Sequence, residues 1–192
     1  MMQRCQEIVI RWSKQREQWG QAIGKHAAIA AKIADIAADT FATESMVRYT
    51  SSLVDHDKYA DIRLEAAMSK LWGSEAAWHT IDQTMQIKGG RGYEIESSLI
   101  NRGEVGDPIE RMMRDCRINT IFEGSSEIMR LFIAREALYP HLRKSAAALD
   151  SRHTKSTRLR TAFKSAFHYA KWYPKQYVSN LLCVPKNFPP PL

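Results

Sequence analysis

The chain has 192 residues, of which 44% are apolar and 26% charged, and this suits one globular domain with an appendage. The composition excludes a mostly disordered chain, a collagen-like chain and a coiled-coil rod. Nine glycines and seven prolines are too few for a turn-rich all-β protein. The sequence holds no apolar run of the roughly 18 residues that a membrane-spanning helix needs, and Ile8-Val9-Ile10 is too short for a signal peptide.

Charge is distributed unevenly along the chain. The net charge is +7, but residues 141–192 carry ten basic side chains and one acid, Asp150, and so have a net charge of +9. Residues 1–140 hold 18 basic and 20 acidic side chains, a net charge of −2. A basic tail therefore follows a slightly acidic body, and arguments about partners from charge concern the tail alone.

The three cysteines, Cys5, Cys116 and Cys183, lack the spacing of a metal site and cannot all pair with one another. Reduced thiols are typical of a cytosol-like compartment. We therefore expect three free thiols and no metal.

Apolar residues at helical spacing predict three long helices, over residues 2–18, 25–55 and 59–88. The first ends at Trp19-Gly20, and closely spaced glycines after Lys88 end the third.

Shorter elements follow the third helix. We predict a helix over residues 110–117 after Pro108, an extended segment or turn over residues 118–124, and a helix over residues 125–138 that Pro140 ends. No run of alternating apolar and polar residues is long enough to predict a sheet. Residues 1–140 are thus predicted to be an all-α domain, an antiparallel up-and-down four-helix bundle, followed by a basic helical extension over residues 141–192.

The extension begins with small, polar and basic residues over 143–158, which predict a linker, and residues 158–173 form an amphipathic segment. The proline-rich residues 186–192 cannot be helical. Two interpretations of the extension stay open: an amphipathic helix packed on the bundle, or a basic, aromatic surface that contacts a membrane or nucleic acid.

Four segments carry residues suited to chemistry. They are Arg16-Glu17-Gln18-Trp19-Gly20 with His26; Gln86-Ile87-Lys88-Gly89-Gly90-Arg91-Gly92; Met113-Arg114-Asp115; and Phe122-Glu123-Gly124-Ser125-Ser126-Glu127. The glycines either cap a helix or let backbone N–H groups approach an anionic ligand. Arg114 and Asp115 suit structural ion pairs or caps. Glu123 is either a surface residue near a helix start or a base whose pKa apolar neighbours raise.

In order and spacing, these segments resemble the C-terminal helical domain of the acyl-CoA dehydrogenase family, of the larger, very-long-chain type. The family carries Arg-x-x-Phe-Gly, Gln-x-x-Gly-Gly-x-Gly, Met-Arg-Asp and Tyr-Glu-Gly-Thr-Ser, and the resemblance covers residues 3–140. Trp19 replaces a Phe, Glu127 stands where Gln is frequent, and residues 97–107 look like an insertion. The family's N-terminal and middle domains have no counterpart here, so we expect a fragment of a longer enzyme.

The resemblance assigns a role to each matching residue. Glu123 matches the base that removes the α-proton of the acyl thioester, and Gly124 matches a substrate contact. Residues assigned to FAD are Ser125, Ser126 and Glu127 at its adenosine portion and, across a subunit interface, Arg16, Gln18, His26, Gln86, Ile87, Lys88, Gly89 and Gly90.

The activity that the resemblance implies is FAD-dependent α,β-dehydrogenation of an acyl-CoA in fatty-acid or related oxidation. It further implies a homo-oligomer, dimer or tetramer, and an electron-transfer flavoprotein or similar acceptor. We expect no nucleic-acid partner, membrane contact only through the basic tail, and a cytoplasmic location, or the mitochondrial matrix in a eukaryote. The alternative is a non-catalytic helical scaffold or interaction module derived from that domain.

Overall fold

The computed structural model describes residues 1–182, with side chains described for residues 1–178. The chain divides into two compact units, Met1–Ala134 and Arg135–Leu192. Helices build both units, so the predicted all-α class is confirmed. The domain boundary that we predicted between residues 140 and 141 stays a prediction.

The elements follow one another in a simple order. They are α1 (Met2–Gln15), a hairpin of β1 (Glu17–Gln18) and β2 (Gln21–Ala22), α2 (Ala27–His56), α3 (Arg63–Lys88), α4 (Gly90–Tyr93), α5 (Glu96–Asn101), α6 (Ile109–Arg117), α7 (Ser126–Leu149) and α8 (Lys155–Leu182). Short 3-10 helices at Ile23–Lys25 and Ile118–Thr120 precede α2 and follow α6. All three predicted long helices are present, as α1, α2 and α3. The turn predicted after Arg117 is the second 3-10 helix.

The central helix of the first unit is α3. Its neighbour α2 runs antiparallel to it, because the Thr50 hydroxyl lies 3.0 Å from that of Ser69 while Lys32 further back along α2 bonds Gln83 further along α3. On another side α6 is also antiparallel, since Lys88 at the end of α3 pairs with Asp107 just before α6.

Helix α1 runs parallel to α3 and completes the bundle. Near its start Cys5 shares a core cluster with Ile81, and near its end the Trp12 ring lies under the Lys88 ammonium, 4.5 Å from nitrogen to ring centroid. The consecutive residues Ile8 and Val9 enter two separate core clusters, one with α3 and α6 and one with α2. Burying apolar side chains on both sides of α1 therefore holds the four helices together.

The two buried thiols lie in the first of these clusters. Burial raises the pKa of Cys5 and of Cys116, and both are free thiols, as predicted. Cys183 lies outside the described residues, as does the proline-rich segment 186–192.

A small sheet corrects the prediction of a purely helical body. Helix α1 ends at Gln15 instead of residue 18, and β1 and β2 pair in antiparallel register, Gln18 opposite Gln21. Both residues of the two-residue loop have positive φ, 49° at Trp19 and 77° at Gly20. This is the backbone of a hairpin turn whose twist matches the strands, and the short strands gave no period-two signal.

The segment predicted as an insertion, residues 97–107, is folded. It holds most of α5 and a turn in which Glu104 donates its backbone N–H to the Leu99 carbonyl at 3.0 Å. Ion pairs of 2.7 Å join Arg91 to Glu104 and Arg102 to Glu94. The segment ends at Asp107, one of the most deeply buried residues of the described chain, with 1% of its surface exposed.

In the second unit, the C-terminal part of α7 forms an antiparallel helical hairpin with α8. His141 Nδ1 lies 2.9 Å from the Tyr169 hydroxyl, and nearer the turn Arg158 Nε donates to the Ala148 carbonyl at 3.2 Å. The His141 ring stacks on Tyr169 and meets Trp172 edge-on. The described helices include none long and apolar enough to cross a bilayer.

Two predictions about this unit were wrong. Pro140 lies inside α7 and does not end it, and most of the predicted linker over residues 143–158 is helical. A proline removes one backbone hydrogen bond, but residues 145–149 are rich in alanine, the strongest helix former. Packing of His141 and Lys144 against α8 adds to that preference.

Candidate functional site

The hairpin brings together Arg16, Gln18 and His26, three residues that sequence reasoning assigned to one ligand. His26 Nε2 lies 3.1 Å from the Gln18 carbonyl, and Nδ1 lies 3.1 Å from Gln21 Nε2. A carbonyl can only accept, so Nε2 carries the hydrogen and Nδ1 accepts from the Gln21 amide. These bonds orient the His26 ring, while the Arg16 and Gln18 side chains remain exposed.

The segment over residues 86–90 is a helix C-terminus with an exposed turn. Gly89 has a φ of 66°, and its backbone N–H bonds the Met85 carbonyl at 3.0 Å, so the capping interpretation describes its geometry. Gln86, Gly89 and Gly90 are exposed, whereas the Ile87 side chain is in the core. This segment therefore offers a ligand the Gln86 side chain and the turn backbone, but not the side chain of Ile87.

Lys88, assigned to the same ligand, has its side chain committed elsewhere. Its ammonium, 3% exposed, donates to Asp107 Oδ2 at 2.7 Å, and Arg11 Nη2 donates to Asp107 Oδ1 at 2.5 Å. Burial acts to raise the pKa of Asp107, but these two hydrogen bonds outweigh it and hold that pKa below its ordinary value. The three residues form an ion-pair triad that ties the end of α1, the end of α3 and the start of α6.

Sequence reasoning missed Arg11 and Asp107. A signal was available, because Lys88 continues the buried stripe of Ile81 and Thr84 at helical spacing. A lysine on a buried face needs an acidic partner. Arg114, by contrast, pairs with Glu110 at 2.8 Å, the structural role that sequence reasoning gave it.

Glu123, the candidate base, lies in the loop between the second 3-10 helix and α7. It has a φ of 53° and Gly124 a φ of 92°, so two consecutive residues are left-handed. The φ of Gly124 is one that residues with a Cβ rarely adopt, so glycine is favoured there, and the end of the flexible Met129 side chain occupies the space beside it. The Lys70 ammonium of α3 donates to the Gly124 carbonyl. The described residues leave Glu123 and Phe122 exposed, so of the two alternatives for Glu123 the surface position near a helix start describes its surroundings within the described chain.

Ser125, Ser126 and Glu127 lie together beside Glu123, at the N-terminus of α7. They line a cavity of about 620 Å³ whose remaining wall is formed by Glu75, Trp78, Arg117, Thr120, Ile121 and Arg130. The Ser126 hydroxyl oxygen is buried and has no hydrogen-bond partner within the described chain. Hydrogen bonds from its own backbone N–H and from Ser125, with the Arg130 and Arg117 charges, hold the pKa of Glu127 below its ordinary value.

The candidate residues fall into two groups at different levels of α3, which runs from Arg63 to Lys88. The hairpin and the turn at Gly89 lie near Lys88, and the Glu123 loop with its cavity lies near Lys70 and Glu75. Lys70 and Lys88 are separated by about 27 Å at a rise of about 1.5 Å per helical residue. Within one copy of the chain, the two groups are therefore too far apart to form a single compact site.

Comparisons with known proteins agree on one family. The model of the acyl-CoA dehydrogenase C-terminal domain matches residues 1–138. Probable acyl-CoA dehydrogenase FadE10 of Mycobacterium tuberculosis (strain ATCC 25618 / H37Rv) is 47% identical over 169 residues, which are 88% of this chain and 26% of that protein. The human mitochondrial very long-chain specific acyl-CoA dehydrogenase is 40% identical over 119 residues, 62% of this chain and 16% of that protein.

Solved structures give the same result. The acyl-CoA dehydrogenase of Bacillus anthracis, crystallised with FAD, superposes with a TM-score of 0.63 and 32% identity over 77% of this chain and 26% of that one. Butyryl-CoA dehydrogenase of Megasphaera elsdenii superposes with a TM-score of 0.61 and 26% identity over 71% of this chain and 33% of that one. The chain thus spans about a quarter of the length of FadE10, and it belongs to the acyl-CoA dehydrogenase family, whose C-terminal domain it contains.

Proposed function

We propose that this chain is the C-terminal part of a flavin-dependent acyl-CoA dehydrogenase, in which Glu123 removes the α-proton of an acyl-CoA thioester. The observation that carries the proposal is the placement of Glu123. Its carboxylate stands in an exposed left-handed loop directly before α7, next to a cavity that residues 125–127 line. Family membership over residues 1–138 supports the same assignment.

The cavity at the start of α7 fits a polar, anionic part of FAD. The buried Ser126 hydroxyl lacks a protein partner, and helix N-termini favour negative charge. Arg117 and Arg130 also line the cavity, although Glu75 pairs with Arg130 at 2.5 Å. In our proposal Ser125, Ser126 and the backbone of the first turn hold the nucleotide end of FAD.

The proposed mechanism assigns the proton step to this chain. Glu123 accepts the α-proton, and its backbone N–H stabilises charge that develops on the thioester oxygen. Because the described residues leave the carboxylate exposed, the bound acyl group itself must exclude water from it. The chemistry that bound FAD would supply is acceptance of the hydride from the β-carbon.

We propose that the second group of residues completes a flavin site in another copy of the chain. The distance of about 27 Å along α3 between Lys70 and Lys88 supports this arrangement. Arg16, Gln18, His26, Gln86 and the backbone of residues 89–90 would contact the flavin of the partner subunit, while Glu123 acts in its own subunit. Flavin affinity should then rise with protein concentration, as for any site completed by association. Flavin binding that is equally tight in a dilute monomer would contradict the arrangement.

We further propose the location and partners of the whole enzyme. The buried free thiols of Cys5 and Cys116 support a reducing compartment, the cytoplasm or a mitochondrial matrix. An electron-transfer flavoprotein or similar acceptor would reoxidise the flavin; one structural neighbour, 30% identical with a TM-score of 0.61, is an electron transferring flavoprotein of Acidaminococcus fermentans.

For the basic extension we propose peripheral contact with an anionic membrane surface. On α8, Leu159, Phe163 and Phe167 are 62–71% exposed, and the extension has a net charge of +9. Sedimentation of the chain with vesicles of anionic lipid, and not with neutral vesicles, would support the contact. Equal sedimentation with both would contradict its electrostatic part.

The test of the proposed reaction is Glu123→Gln, with Glu127→Gln as its matched control. In the flavin-loaded enzyme we expect Glu123→Gln to slow flavin reduction by acyl-CoA about 10²–10⁴-fold, the range for loss of a general base. Glu127→Gln should leave the reduction rate nearly unchanged and act mainly on flavin retention. If Glu123→Gln reduces its flavin at the wild-type rate, Glu123 is not the base. If the wild-type enzyme does not reduce flavin with acyl-CoA at all, a non-catalytic scaffold becomes the better interpretation.

A further inference from the structure

Lys70 links the central helix of the bundle to the loop that presents Glu123. Its ammonium, on the half-buried face of α3, donates to the Gly124 carbonyl 54 residues further along the chain. The sequence analysis did not single out Lys70, and no other part of the proposed site accounts for it.

The Glu123 loop needs such a tether because its backbone conformation is unfavourable. Glu123 is left-handed although it has a Cβ, and the left-handed Gly124 follows it directly. Around the loop, the backbone N–H groups of Ile121 and Phe122 bond the Ile118 carbonyl at 2.9 and 3.0 Å. On the other side, Met129 donates to the Ser125 carbonyl at 2.8 Å. Local bonds therefore hold both ends of the loop, while Lys70 holds its middle.

We propose that Lys70 is a positioning residue that keeps the Glu123 loop in its left-handed conformation and so aims the Glu123 carboxylate. Fixing the Gly124 carbonyl fixes the peptide plane between Gly124 and Ser125, and this restrains the backbone of the neighbouring Glu123 and so the direction in which its side chain leaves. The proposed role of the carboxylate as a base rests on the proposed function. The tether itself does not.

The first test is hydrogen exchange on the 192-residue chain, measured by mass spectrometry. Lys70→Met removes the donor and keeps the length of the side chain. Relative to peptides from the middle of α3, we expect exchange over residues 121–129 to accelerate about tenfold or more, the effect of losing one charge-assisted hydrogen bond. Lys70→Arg keeps a donor and should restore most of the protection.

Lys32→Met is the matched control, because Lys32 is also a half-buried lysine that reaches across helices, to Gln83 on α3. It should leave the exchange ratio at residues 121–129 unchanged. Acceleration by Lys70→Met that is equal in the loop and in α3 reports global destabilisation and overturns the proposal. Unchanged loop exchange overturns it as well.

The second test uses the flavin-loaded enzyme. Lys70→Met should lower kcat for flavin reduction about tenfold or more with little change in KM, and Lys70→Arg should recover most of the rate. A raised KM with normal kcat would assign Lys70 to substrate binding and overturn the positioning role. Failure of the proposed function is distinguishable from failure of this proposal. If Glu123→Gln reduces its flavin at the wild-type rate, Glu123 is not the base, but the hydrogen-exchange result for Lys70 is unaffected.

Discussion

The triad of Arg11, Lys88 and Asp107 permits a sharp test of what anchors the bundle. Asp107→Asn removes the only charge that compensates the Lys88 ammonium within the triad, while the side chains of Lys88 and Asp107 are 3% and 1% exposed. Breaking a buried ion pair from one side costs about 3–5 kcal/mol, because the remaining charge stays buried. Arg11 contributes less, since a third of its side chain is exposed and reaches water.

The assay is urea unfolding followed by circular dichroism. We expect Asp107→Asn to lower the free energy of unfolding by about 3–5 kcal/mol, against about 5–15 kcal/mol for a typical domain. Lys88→Met combined with Asp107→Leu should recover most of the loss, because an apolar pair avoids burying charge. The control is Glu104→Gln, whose pair with Arg91 lies at the surface, so its loss should lower the free energy of unfolding far less than Asp107→Asn does. If Asp107→Asn lowers the free energy of unfolding by less than about 1 kcal/mol, with an unchanged slope of that free energy against urea concentration, the reasoning is refuted.

The same triad, the glycines and the helix start give four more predictions. Folding lowers the pKa of Asp107, so the ionised carboxylate stabilises the folded state above the ordinary carboxyl pKa of about 3.9, and this contribution is lost as pH falls through the folded pKa. In urea titrations, the difference in free energy of unfolding between wild type and Asp107→Asn should therefore shrink below about pH 4. Gly124→Ala should lower the free energy of unfolding by about 1–3 kcal/mol, since its φ of 92° strains a residue that has a Cβ, and thermal unfolding would measure this. Gly92→Ala should also destabilise, because the new Cβ would lie 2.8 Å from the Met85 carbonyl, and a wild-type melting temperature would contradict that contact. Glu127→Gln should leave the midpoint of urea unfolding nearly unchanged, because its carboxylate lies exposed at a helix N-terminus.

Much of the fold was predictable because it depends on local periodicity. The stripes that bury Ile8, Ile36 and Ile81 repeat at helical spacing, so the helices they belong to could be located from the sequence. The segment order likewise identified the family, which the match over residues 1–138 confirms. The helix boundary at Pro140 failed because alanine-rich sequence and packing after it outweigh the loss of one backbone hydrogen bond.

The sequence by itself determined the helical class, the basic extension, the family and the candidate residues, since each depends on residue type at short spacing. Only the tertiary structure decided which of those residues lie together. Lys88 and Asp107 are 19 residues apart, and Lys70 and Gly124 are 54, so no local pattern pairs them. The structure pairs them because α3 packs against α6 and against the loop before α7. A lysine ammonium that is removed from water by this packing needs a hydrogen-bond acceptor there. It likewise places the hairpin with His26 near the end of α3 and the loop with Glu123 beside the first half of that helix, because one rigid helix spans the distance between them.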